Sequence, residues 1–128
     1  MEAALLFARL EDCVDYMDIN INYIDDITIV ELNGVFDSNT AYSVQETILP
    51  LADSSSKLLL DMSNVTYMSS AGLRILLLLY RRIGENIGRI IVTGLSESLS
   101  EVMAITGFLD FFTVASNRDV GLEKLRGA

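Results

Sequence analysis

The side chains best placed to do chemistry in this sequence are two adjacent serines, Ser69 and Ser70, which Ala71 and Gly72 follow. They lie between a run typical of a β-strand and a run typical of an α-helix. Serine at the start of a helix commonly caps the free amide groups of the first turn. A serine there could also carry a phosphate, because the positive end of the helix dipole favours an anion. Capping and phosphorylation are therefore both open for this pair.

A catalytic role for the serine pair is disfavoured by the residue types that the sequence lacks. It contains no histidine and a single cysteine, Cys13. A Ser-His-Asp triad, a Cys-His dyad and the usual zinc sites therefore cannot form within this chain. No G-x-S-x-G motif surrounds Ser70. We expect a protein that is not an enzyme and that uses no metal and no cofactor.

The charge and hydropathy of the chain restrict its partners. The formal net charge is -9, from 18 acidic and 9 basic residues. Nucleic acid and anionic membrane surfaces both require clusters of Lys and Arg, so neither is an expected partner. The longest apolar run, "ILLLLY" at 75–80, is too short to insert into and span a bilayer. The lone cysteine cannot form an internal disulfide, which favours a reducing cytoplasm.

The length of 128 residues suits one domain. Residues 1–18 form an N-terminal extension, which is either a short amphipathic helix or dispensable, since Met17 could serve as an alternative start.

The regular pattern of strands and helices begins at Ile19. It predicts two short strands joined by a turn at Asp25 and Asp26, followed by a helix from Thr40 to Leu49 that Pro50 stops. A buried strand over 57–62 comes next. Asp61 ends that strand and begins a turn with Ser63 and Asn64. A helix over 70–84, a strand over 87–94, a helix ending at Gly107, a short strand in "FFTVA" and a final helix in "RDVGLEKLRG" follow.

Strands that alternate with helices in this way indicate an α/β fold. Right-handed crossovers then produce a mostly parallel or mixed sheet of about five strands, with about four helices packed on it.

Three segments together resemble a STAS domain, the fold of bacterial anti-sigma factor antagonists. They are "DMSNVTYMSSAGLRILLLLYRRI", "IIVTGLSESLSEVMAITGF" and "FFTVASNRDVGLEKL". The resemblance covers roughly residues 19–126, so we assign residues 19–128 to the domain.

The resemblance implies a phosphorylation switch that regulates transcription. In that family the unmodified protein binds an anti-sigma factor that is also a serine kinase. Phosphorylation of a serine at the helix start releases it, and a metal-dependent serine phosphatase restores the active form. The family's phosphorylated serine falls on Ser70, and its preceding acidic residue falls on Ser69. Ser70 is therefore the expected phosphoacceptor, with Ser69 as the second choice.

The partner surface is expected around the same helix start. Its candidate residues are Asp37, Ser69, Gly72, Arg74, Leu78 and Arg81. Asp37 could orient the Ser70 hydroxyl or simply cap the helix that follows it. Gly72 could let a partner backbone approach closely or be an indifferent first-turn residue. An exposed Leu78 beside the arginines could form a docking strip, or this face could simply be solvated.

A second interpretation keeps the fold and changes the class of function. In it the chain is a non-switching STAS subunit of a transporter or of another signalling assembly, and Ser70 is inert. A membrane-spanning transporter would then be a separate chain.

Overall fold

Five strands form one sheet whose spatial order follows the chain. The computed structural model describes residues 17–54, 56–86 and 88–127. The strands are β1 (Met17–Ile24), β2 (Ile27–Phe36), β3 (Lys57–Met68), β4 (Arg89–Thr93) and β5 (Thr113–Ala115), and the helices are α1 (Ala41–Ser54), α2 (Ser70–Glu85), α3 (Glu97–Ile105), a short 3-10 helix (Phe108–Asp110) and α4 (Arg118–Arg126). β1 is antiparallel to β2, and the other neighbouring strands are parallel. The predicted mixed α/β sheet is confirmed.

The first two strands form the predicted hairpin. Asp25 adopts the left-handed conformation with φ 56°, which Asp tolerates better than most residues. Ile24 and Ile27 pair on either side of the turn. β1 begins at Met17 rather than at Ile19. The short amphipathic helix predicted within residues 1–18 falls almost entirely on residues 1–16, which lie outside the described part of the chain.

Helices cover both faces of the sheet. Three successive crossovers move the chain in one direction across the sheet, and α1, α2 and α3 share one hydrophobic core on the same face. Helix α4 follows the last strand and packs on the opposite face, where Leu122 and Leu125 belong to the same buried apolar cluster as Leu59. The first half of the central strand β3, over residues 58–62, is buried on both faces, as predicted.

Three boundaries differ from the sequence predictions. Helix α1 continues through Pro50 to Ser54, because Ala52 beyond the proline is fully buried and its packing outweighs one lost amide donor. Strand β3 runs on to Met68, since its second half still pairs with β2. A glycine and an aspartate at 34 and 37 predict the end of the second strand, but only Asp37 follows it; Gly34 lies within β2 at φ 120°, next to a shift in register.

The start of α2 is pinned to the end of β2. Phe36 pairs with Met68, and the next residue, Ser69, donates its backbone N–H to the Phe36 carbonyl at 2.9 Å. A Cβ on Gly72 would lie 2.8 Å from Met68 Cγ and 2.9 Å from the Phe36 carbonyl oxygen. Gly72 therefore lets the first turn of α2 approach this strand closely.

An ion-pair network fixes α4 to the other face. One nitrogen of the Arg118 guanidinium donates to Asp61 Oδ2 at 2.8 Å and to Glu31 Oε2 at 2.9 Å. Burial raises the pKa of the Asp61 carboxyl, but hydrogen bonds from Ser63 and Arg118 outweigh it and hold the pKa below its usual value. The turn predicted at Asp61, Ser63 and Asn64 is absent, because β3 continues through these residues to Met68. The Ser63 N–H and hydroxyl still donate to Asp61 Oδ1, and Arg118 is a partner of Asp61 that the sequence does not predict.

Within the described residues, none of the helices is both long and apolar enough to cross a membrane.

Replacing Gly72 by alanine should destabilise the fold, because the new methyl group overlaps Phe36 and Met68. We expect a loss of about 1–3 kcal/mol in the free energy of unfolding, measured by urea denaturation. Gly84→Ala is the matched control in the same helix, since a Cβ there meets nothing within 4 Å. It should gain about 0.5 kcal/mol from helix propensity. Equal changes in the free energy of unfolding for the two substitutions would contradict the close packing of Gly72 on Phe36 and Met68.

Replacing Arg118 by methionine should lower the free energy of unfolding by about 1–2 kcal/mol at neutral pH, because it leaves the buried Asp61 carboxylate without its cation. The pKa of Asp61 is depressed in the folded state, so this stabilisation is present above the ordinary value of 3.8 and is lost as the pH falls through the lower folded value. The difference in the free energy of unfolding between wild type and Arg118→Met should therefore become smaller at acidic pH.

The control is Arg126→Met, whose exposed pairing with Asp25 should contribute at most about 1 kcal/mol. Urea titrations near neutral pH and at about pH 2.5 provide the comparison. If Arg118→Met lowers the free energy of unfolding by the same amount at both pH values, the stabilisation by Arg118 is not ionic and this account is contradicted.

Candidate functional site

The serine pair lies at the edge of the sheet where the parallel strands β2 and β3 end. Carboxyl ends of parallel strands are where binding sites form in open α/β sheets. Asp37 directly follows β2, and Ser69 directly follows β3. Because Phe36 and Met68 are paired, Asp37 and Ser69 emerge side by side. The sequence thus brings two predicted site residues to one edge.

Ser69 is the N-cap of α2. Its hydroxyl oxygen accepts the backbone N–H of Ala71 at 3.2 Å, and its carbonyl oxygen accepts the N–H of Leu73 at 3.1 Å. The side chain is half-buried and engaged in the helix start. The capping role predicted for one serine of the pair therefore belongs to Ser69.

Ser70 is the first residue of α2 and is exposed. Within residues 17–54, 56–86 and 88–127, its hydroxyl has no hydrogen-bond partner. The two serines therefore differ, since one hydroxyl is used by the fold and the other faces solvent. An enzyme that modifies a serine could reach Ser70 without opening the helix.

Asp37 makes the hydrogen bonds of a helix cap. Its Oδ1 accepts the backbone N–H groups of Asn39 at 2.9 Å and Thr40 at 3.2 Å. Thr40 Oγ1 in turn accepts the N–H of Asp37 at 3.0 Å and donates to the Val35 carbonyl at 2.8 Å. This bonding matches the capping alternative for Asp37. Orientation of the Ser70 hydroxyl by Asp37 stays a prediction.

Two of the residues predicted to contact a partner are not exposed as expected. Gly72 is buried, and the close approach that it permits is that of its own chain at Phe36 and Met68. Leu78 is half-buried and packs against the main core, so the predicted exposed leucine strip is absent from the described surface of α2. Spacing alone placed Leu78 outside, whereas the helix buries a wider face.

The two predicted arginines lie at different ends of α2. Arg74 is exposed and stands four residues after Ser70, so the two side chains share one face. Arg81 is also exposed, but it lies about 16 Å further along the helix axis than Ser70. It lines a cavity at the far end of α2. Only Arg74 therefore belongs to the surface around Ser70.

Two exposed tyrosines at this edge were missed by sequence reasoning. Tyr67 is 56% exposed and lies near the end of β3, while Tyr42 is 67% exposed in the first turn of α1. Exposed aromatic side chains are enriched where proteins bind each other. The second half of β3 does not alternate regularly, because Thr66 and Tyr67 are both exposed between the buried Val65 and Met68. Neither Tyr67 nor Tyr42 therefore has a clear signal in the sequence.

Metal ligands are not grouped in the part of the chain that the structure describes. Among those residues, no cluster of three or more His, Cys, Asp or Glu side chains could hold a metal ion.

Comparison with known proteins identifies the family. The family model for the STAS domain matches residues 18–120. BtrV of Bordetella bronchiseptica, which is named as an anti-sigma factor antagonist, is 30% identical over 113 residues, 88% of this chain and 97% of BtrV.

Solved structures have the same fold. The crystal structure of an anti-sigma factor antagonist from Mycobacterium paratuberculosis matches with a TM-score of 0.79 and 26% identity, covering 86% of this chain and 94% of that one. SpoIIAA of Bacillus matches at 15% identity with TM-scores of 0.71 in its unphosphorylated form and 0.68 in its phosphorylated form. These matches cover 87% and 85% of this chain, and 100% of SpoIIAA in both cases. This chain is a STAS domain protein and belongs to the anti-sigma factor antagonist family.

Proposed function

We propose that this protein is a phosphorylation-switched antagonist that binds an anti-sigma factor with serine kinase activity. In its unmodified form it binds that partner in the cytoplasm. Phosphorylation of Ser70 releases it, and a metal-dependent serine phosphatase returns it to the binding form. We assign residues 19–128 to the STAS domain and residues 1–18 to an N-terminal extension, whose last two residues, Met17 and Asp18, pair with β2 at the start of β1.

The observation that carries this proposal is the Ser70 hydroxyl, which is exposed and has no hydrogen-bond partner among the described residues. A kinase must bring the attacking hydroxyl in line with the terminal phosphate of ATP. Ser70 can enter such a site directly, because the described contacts hold its neighbour Ser69 and leave Ser70 at the surface. A kinase that acted on Ser69 would first have to break the cap of α2.

The start of α2 should tolerate a phosphate. Free amide groups and the helix dipole make the first turn favourable for an anion. Arg74 adds a cation on the same face, and no ion pair joins it to a carboxylate within the described part of the chain. A phosphoserine at position 70 would add about two negative charges that these groups can stabilise.

A docked partner should not tolerate the same phosphate. We place the docking surface around Tyr42, Tyr67 and Ser70, three exposed residues at one edge of the sheet. Closing a partner over this edge would strip water from the phosphate, and a buried charge without a new counterion is costly. Binding would then fall while the fold is kept. SpoIIAA supports this view, since its phosphorylated form retains the same fold.

The two serines should have opposite effects on stability. Ser69→Ala removes the cap of α2 and should lower the free energy of unfolding by about 1 kcal/mol. Ser70→Asp places a negative charge at the helix start and should leave stability unchanged or raise it by about 0.3–1 kcal/mol. Urea denaturation measures both. A loss in Ser70→Asp as large as that in Ser69→Ala would contradict the roles given to the pair.

Incubation with the partner kinase and ATP, followed by mass spectrometry, should locate one phosphate on Ser70. Ser70→Ala should abolish its incorporation, and Ser69→Ala should not. In calorimetric titrations with the partner, Ser70→Asp should weaken binding by about 30-fold or more, which corresponds to about 2 kcal/mol for a charge buried without a partner.

The matched control is Ser98→Asp, which makes the same change at an exposed serine in the first turn of α3. It should bind the partner like wild type. Absence of phosphate from both Ser69 and Ser70, together with wild-type binding by Ser70→Asp, would refute the switch.

A further inference from the structure

A cavity lies at the end of α2 opposite Ser70. It opens between the last two turns of that helix, the first residues of β4 and β5, and Phe111 after the 3-10 helix. Its volume is about 460 Å³, within the range of small-molecule sites. The proposed switch does not use this region.

One wall of the cavity is aromatic and held in place. The ring of Tyr80 makes edge-to-face contacts with Phe111 at 5.7 Å and with Phe112 at 5.5 Å between ring centroids. Phe112 is buried, whereas Phe111 is 47% exposed and lines the cavity. The core thus anchors a cluster of three rings, of which Tyr80 and Phe111 line the cavity. Such a wall favours a flat aromatic group, which can stack or pack edge to face.

The polar lining is net positive. Arg81 and Arg89 both line the cavity and are exposed, and neither forms an ion pair within the described residues. The neighbouring Arg82, by contrast, is bound to Asp53 at 3.1 Å. Glu85 also lines the cavity and offsets one of the two positive charges. A single negative charge on a ligand would balance what remains, and guanidinium groups bind carboxylates well.

The helix surface beneath the cavity is open. Gly84 is part of the lining, and a Cβ added there would meet nothing within 4 Å. A flat ligand can therefore lie against the backbone of α2 at this point. The same opening allows a side chain to be introduced that fills the cavity without displacing its neighbours.

We propose that this cavity is a binding site for a small planar aromatic monoanion, an aromatic carboxylate being the simplest example. The aromatic ring packs on Phe111 and Tyr80, and the carboxylate pairs with Arg81 and Arg89. The site is independent of the phosphorylation of Ser70, so either can fail without the other.

The probe for this site is 1-naphthoate, titrated into the full chain and followed by calorimetry and ligand-observed NMR. It should bind at one saturable site, and the neutral analogue 1-naphthamide should bind at least about tenfold more weakly, because a charge-assisted contact is lost. Arg81→Gln and Arg89→Gln should each raise the dissociation constant about tenfold. Gly84→Leu should abolish binding, since the leucine occupies the cavity.

The matched control is Arg82→Gln, which removes the same charge one residue away, outside the cavity lining. It should bind 1-naphthoate like wild type, and circular dichroism should show that every variant is folded. The proposal is overturned if 1-naphthoate does not bind, if 1-naphthamide binds equally well, or if the Arg81, Arg89 and Gly84 variants bind like wild type.

Discussion

The contact between the first turn of α2 and the end of β2 is the constraint on which the proposed docking edge around Ser70 depends. The Phe36 carbonyl accepts the Ser69 N–H, and Gly72 leaves room for the same carbonyl and for the Met68 side chain. Any larger residue at position 72 would push the helix away from the strand. With this turn held, the Ser69 hydroxyl must face back into the helix start, and the Ser70 hydroxyl must face solvent.

That division of roles would let the proposed switch act without refolding. The groups that keep the helix in place are the backbone of Phe36 and the cap at Ser69, and a phosphate on Ser70 replaces neither. The network of Arg118 with Asp61 and Glu31 lies on the opposite face of the sheet and holds α4 there. Charge added at the start of α2 therefore changes a surface, while the contacts that hold the fold are remote from it or unaffected.

The sequence predicted the fold well because its signals are local. Period-two and helical patterns, the turn at Asp25 and the capping serines depend on near neighbours. Pro50 and the length of β3 were mispredicted because burial of Ala52 and pairing with β2 decide them, and both are long-range. At the site, Ser69 and Ser70 could be placed from the sequence. Other features could be seen only in the three-dimensional structure. These are the burial of Gly72 and Leu78, the distance between Arg81 and Ser70, and the pairing of Asp61 with Arg118.

The most direct test of the switch is a map of backbone amide chemical shifts before and after stoichiometric phosphorylation, recorded free and with the partner. Phosphorylation should shift amides at the start of α2 and in the adjoining ends of β2 and β3, leave those around Arg118 in place, and abolish the shifts that the partner causes at this edge. Shifts spread through β4, β5 and α4, or a partner that still binds the phosphorylated chain at the same edge, would contradict a switch that acts on the surface alone.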